Sequence, residues 1–125
     1  MTTLDLTQFP VHTSVATSDL ERAKTWYSDK LDLTPDQEDT EGVWYRFAGD
    51  TWLHVYQTGT AGTAENTVAG ITVTNIEEVM ENLRQRGVEF EDYEMTENGL
   101  ATWETAKAAW FRDPDGNTFE LSETL

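Results

Sequence analysis

The chain repeats itself. Ser18-Asp19-Leu20-Glu21 lies over Thr74-Asn75-Ile76-Glu77, and the same offset carries Val15 onto Ile71, Tyr27 onto Leu83 and His12 onto Val68. A repeat of one supersecondary unit constrains the fold more than any composition does, because each unit must present the same faces. Val11–Thr17 alternates as a strand, with Val11, Thr13 and Val15 on one face and His12, Ser14 and Ala16 on the other. Ser18 and Glu21 form a capping pattern for a helix, whose apolar stripe is Leu20, Ala23, Tyr27 and Leu31. After a polar loop from Pro35 to Gly42 come two strand-like runs, Val43–Ala48 and Thr51–Gln57, with Gly49-Asp50 as a tight turn between them.

Gly59–Asn66 is small and polar and reads as a linker. The pattern then restarts. Val68–Val73 is a strand, Asn75 with Glu78 repeats the cap, and Ile76, Val79, Met80 and Leu83 form the helical stripe. Gly87 is placed for a left-handed helix end. Val88–Tyr93 reads as a strand and Tyr93–Lys107 as a long loop. Ala109–Arg112 and Thr118–Ser122 follow as strands, joined by a turn over Asp113–Asn117. The expected architecture is therefore α+β: two βαβββ modules, about residues 10–58 and 67–125, within one domain spanning 1–125. In each, a small sheet is covered on one face by its helix. The other face must find the second module or enclose a ligand.

Charge narrows the partners. The net charge is −16, from 24 acidic and 8 basic residues. That sign repels phosphate backbones and anionic lipid heads, so neither nucleic acid nor a membrane is an expected partner. Only Lys24, Lys30 and Lys107 among the basic residues are lysines. Abundant acid with scarce lysine suits a salt-adapted host, where screening removes self-repulsion. Cysteine is absent, which removes disulfides, thiolate metal sites and a cysteine nucleophile. Met1 to Pro10 lacks the basic start and apolar stretch of a secretory signal, so a cytoplasmic location is expected.

Asp19-Leu20-Glu21-Arg22-Ala23, Trp26-Tyr27 and Leu31 resemble the D-L-x-R-A-x-x-F/W-Y-x-x-x-L signature of the vicinal oxygen chelate superfamily. That superfamily includes glyoxalase I, extradiol dioxygenases, and fosfomycin- and bleomycin-resistance proteins. Arg84–Phe90 and Phe111–Leu121 match its second-half patterns, so the resemblance covers about residues 10–123. It implies paired modules forming a curved, partly open mixed sheet around a cup, and a homodimer with cups formed either within one chain or across two.

In metal-using members four side chains enter the cup, and the resemblance carries these positions to His12, His54, Val68 and Glu120. Strand alternation agrees for three of them: His12 lies opposite Val11 and Val15, His54 opposite Leu53 and Val55, and Glu120 opposite Phe119 and Leu121. Val68 cannot ligate, a departure from the four-ligand pattern. Two imidazoles and a carboxylate suit iron, manganese, zinc or nickel, with open positions for a substrate's adjacent oxygens. The implied activity is then a metal-assisted isomerisation, lysis or dioxygenation of a small oxygen-bearing molecule, with Glu120 as ligand or as catalytic base. The alternative is a metal-free protein that sequesters a small molecule. Trp52 and Tyr56 share the face of His54, and Trp44, Arg46, Trp103 and Trp110 are expected near the cup mouth, an aromatic lining suited to a planar ligand.

Overall fold

A computed structural model describes residues 4–40 and 42–125. The first module contributes β1 (His12–Thr17), α1 (Leu20–Leu31), β2 (Gln37–Glu38), β3 (Gly42–Phe47) and β4 (Thr51–Gln57). The second contributes β5 (Thr67–Thr72), α2 (Ile76–Gln85), β6 (Thr96–Glu97), β7 (Leu100–Thr102), β8 (Ala106–Arg112) and β9 (Thr118–Thr124). Among the described residues these strands form two open sheets, ordered β1-β4-β3-β2 and β5-β9-β8-β7-β6. In both, the module's first strand pairs in parallel with its last, while the remaining pairs are antiparallel. The repeat seen in the sequence is thus a repeat of topology.

Local chemistry explains the elements and corrects several expectations. Helix α1 is capped by Asp19 rather than Ser18; its carboxylate accepts from the Arg22 amide at 3.1 Å. Asn75 takes a left-handed backbone and makes no side-chain cap. Instead the Glu123 carboxylate, on β9, accepts from the amides of Asn75 (2.7 Å) and Ile76 (3.3 Å) and places negative charge at the start of α2. The region 88–93 forms no strand, only an isolated bridge between Phe90 and Phe111. The loops expected at 35–42 and 93–107 hold the short strands β2, β6 and β7. Gly49 and Asp50 both have positive φ, as a tight hairpin turn requires, and Gly87 does so just beyond α2.

One core serves both modules. From the first sheet come Val15, Val43, Tyr45, Leu53 and Val55, and from the second Ala109, Phe111, Phe119 and Leu121. Ala23 and Tyr27 of α1 and Ile76 and Met80 of α2 fill the space between. The Tyr27 ring lies 5.7 Å from Tyr45 and 6.0 Å from Phe119, so α1 touches both sheets at once. Next to it, Trp26 stacks 6.3 Å from Phe111.

The buried Tyr27 hydroxyl donates to Asp113 at 2.7 Å. Burial, reinforced by that carboxylate, pushes the phenol well above its usual range. The β8–β9 turn is locked by the other Asp113 oxygen, which accepts from the amides of Asp115 and Asn117. With the turn's oxygens committed in this way, it is a structural corner. Because the modules join through their helix-covered faces, the opposite face of each sheet is left turned away from the core.

Candidate functional site

On the first sheet the uncovered face is built by alternation. His54 sits between the buried Leu53 and Val55, and so emerges on the far side with Trp52 and Tyr56. Cross-strand register sets Trp44 beside His54 and Arg46 beside Trp52, and on the other flank Ser14 beside His54 and His12 beside Trp52. Trp44 and His54 lie face to face, with centroids 3.9 Å apart and planes 9° apart. Tyr56 continues the stack at 5.6 Å, and His12 meets Trp44 edge-on at 5.0 Å. The Arg46 guanidinium lies over Trp52 at 4.3 Å, while also pairing with Asp50 at 3.2 Å. The sequence-predicted His12, Trp44, Arg46, Trp52, His54 and Tyr56 therefore come together on one surface.

Gly42 makes this surface possible, and the sequence reading missed it. A Cβ there would stand 2.7 Å from His54 Nε2 and 3.0 Å from the Val55 carbonyl, so a side chain would push the imidazole off the sheet. Partial burial and the nearby His12 lower the pKa of His54, favouring neutral imidazole.

The second sheet repeats the device with other residues. Trp110 emerges between the buried Ala109 and Phe111, and its cross-strand partner is Glu120, between the buried Phe119 and Leu121. Tyr93 and Trp103 approach Trp110 edge-to-face at 5.5 Å and 6.4 Å. Tyr93 comes from an irregular segment, where no periodicity could have marked it. Among the described residues Glu120 forms no hydrogen bond or ion pair. Val68 is half-buried against the common core, beside a bulge between Thr67 and Ala69. A further crevice of about 430 Å³ opens between the sheets, lined by Thr13, Phe47, Leu53, Ile71 and Phe119. Of the sequence-predicted residues it reaches only Trp52, and among the described residues no charged side chain lines it.

A family model for the Glyoxalase/Bleomycin resistance protein/Dioxygenase superfamily matches residues 10–121. The chain belongs to that superfamily. Three solved structures show the likeness of fold. A protein of Bacillus anthracis assigned to the glyoxalase family has a TM-score of 0.77 at 20% identity, over 100% of both chains. A glyoxalase/bleomycin resistance protein/dioxygenase from Alicyclobacillus acidocaldarius has a TM-score of 0.70 at 20% identity, covering 94% of this chain and 92% of the other. The oxidase ChaP-H2 has a TM-score of 0.68 at 17% identity, over 91% of each. No curated protein matches in sequence.

Divalent metals are common in this superfamily. The residue types fit, since two imidazoles and a carboxylate are a normal divalent site. The geometry of one chain does not. Among the described residues no three His, Asp or Glu side chains gather to hold an ion. The His54 ring is also laid flat against Trp44, with Nε2 turned toward Gly42. Among the described residues no helix is long and apolar enough to cross a membrane.

Proposed function

We propose that this superfamily member binds a planar, oxygen-bearing small molecule in a cup assembled from two copies of the chain. The first-sheet face of one copy, with Trp44, His54 and Tyr56, opposes the second-sheet face of the other, with Trp110 and Glu120. The observation that carries this reading is the parallel Trp44–His54 pair, with Gly42 left bare beneath it. Such a plate offers an extended ring surface to a flat ligand, and stacking on aromatic faces contributes beyond the area buried. Each face alone is open and cannot enclose a ligand. Both are turned away from the core of their own chain, which supports pairing between copies as a homodimer. The high negative charge supports a salt-rich cytoplasm as the setting, because two chains of −16 repel each other in dilute buffer.

A second reading is favoured by one arrangement. His12 and His54 flank the same indole, and the Glu120 of another copy has no partner among the described residues of its own chain. A divalent metal would take those three groups across the interface, giving the protein an enzymatic role.

Titration of the full chain with 2-naphthol, read by tryptophan quenching and calorimetry, tests the first reading. Trp44→Ala is expected to weaken binding at least about tenfold, the scale of one lost aromatic contact. Unchanged affinity in that variant overturns it. Metal analysis of protein purified without chelators tests the second: stoichiometric iron, manganese, zinc or nickel that disappears in His54→Ala supports it, and its absence from wild-type protein overturns it.

A further inference from the structure

We propose that the uncovered face of the second sheet selects an organic cation of the quaternary ammonium class, held among Tyr93, Trp103 and Trp110 with Glu120 as counter-charge. The proposal deepens the binding reading above and rests on it for the claim that this face meets a ligand.

Trp110 has two aromatic neighbours set edge-to-face, at 66° and 88°, so three rings in different planes meet at Trp110. Rings in different planes offer negative faces to a rounded cationic group. Two of the three are costly to leave in water: Trp103 is 47% exposed and Tyr93 36% exposed.

Glu120 is half-buried and cross-strand to Trp110, yet it has no partner among the described residues. The one basic residue that β8 puts on this face, Arg112, is drawn to Glu91 at 2.9 Å. Lys107 points to the other face and is held by Glu77 at 2.6 Å. A partly desolvated carboxylate with no cation beside it among the described residues is complementary to a cation from outside. The overall −16 charge raises the local concentration of such ligands. The first-sheet face differs in kind, being a flat plate with its own arginine already seated on Trp52.

The test compares choline with 3,3-dimethylbutan-1-ol, its uncharged carbon isostere, by calorimetry on the full chain at fixed salt. Choline is expected to bind at least tenfold more tightly. Glu120→Gln is expected to reduce that preference to under threefold, and Trp103→Leu, at an exposed position that leaves the fold intact, to weaken choline at least fivefold. Equal affinity for choline and the alcohol overturns the proposal, as does a preference that survives Glu120→Gln. The 2-naphthol titration separates the two readings. Naphthol binding without choline preference overturns the cation site alone, and choline preference without naphthol binding overturns the stacking plate alone.

Discussion

Trp44 and His54 are cross-strand neighbours whose rings lie parallel at 3.9 Å, and the residue that allows it is a glycine two positions before the tryptophan. The imidazole is thereby held flat as a ring surface within its own chain. Gly42→Ala puts a Cβ within 2.7 Å of Nε2, and the adjacent Val55 carbonyl, at 3.0 Å, cannot yield cheaply. The ring must swing out. Loss of stability on the order of 1–2 kcal/mol is expected, as for modest overpacking. Chemical denaturation gives the stability, and the His54 ring resonances should move by NMR. A variant with unchanged imidazole shifts would refute this account of Gly42.

Asp115 ties the modules together at the corner between β8 and β9. It accepts from the Thr17 hydroxyl at 2.6 Å, the Ser18 hydroxyl at 2.7 Å, the Ser18 amide at 3.0 Å and Arg22 at 3.0 Å. Burial works to raise this carboxyl, but those donors and the Arg22 charge outweigh it and hold the pKa below 3.8. A pKa lower in the folded than in the unfolded state adds stability above the ordinary value, and the benefit is lost as pH falls through the folded one. Asp115→Asn should cost roughly 1.5–3 kcal/mol at neutral pH, the range for hydrogen bonds to a charged group. The gap between variant and wild type should narrow as pH falls below the ordinary carboxylate range and the wild-type carboxyl protonates. Urea melts across that range measure it, and a gap constant with pH would count against the ionic part of the argument.

Salt acts on the whole surface. With 24 acidic residues against 8 basic, raising KCl from about 0.1 M to about 3 M shortens the screening length from about 10 Å to under 3 Å and should remove most of the self-repulsion. The melting temperature is expected to rise throughout, and sedimentation equilibrium should show dimer strengthening in parallel. A melting temperature that is flat or falls with salt removes the salt-adaptation reading.

Much of the fold was legible because it is written twice. The stripe through Tyr27, the alternation that isolates His54 between Leu53 and Val55, and the positive-φ glycines at 49 and 87 are local facts that one strand or one helix settles. What escaped depends on distant partners. Asn75 reads as a cap, but Glu123, 48 residues away, takes that role from β9. Ser18 and Asp19 are both good caps, and the choice falls to Asp19 because Asp115 engages the serine. Alternation identified the faces carrying His54 and Glu120 but not which faces the modules would join through, since that is decided by Tyr27 packing against both Tyr45 and Phe119. Gly42 and Tyr93 carried no periodic signal of their role.

A mixing experiment tests the shared cup most directly. One chain carries Trp44→Ala and His54→Ala, the other Trp110→Leu and Glu120→Gln, so each homodimer has every cup damaged. If cups form between copies, random re-pairing gives heterodimers with one intact cup, restoring 2-naphthol binding to about a quarter of the wild-type sites. A mixture that binds no more 2-naphthol than its two components do separately contradicts the cup between copies.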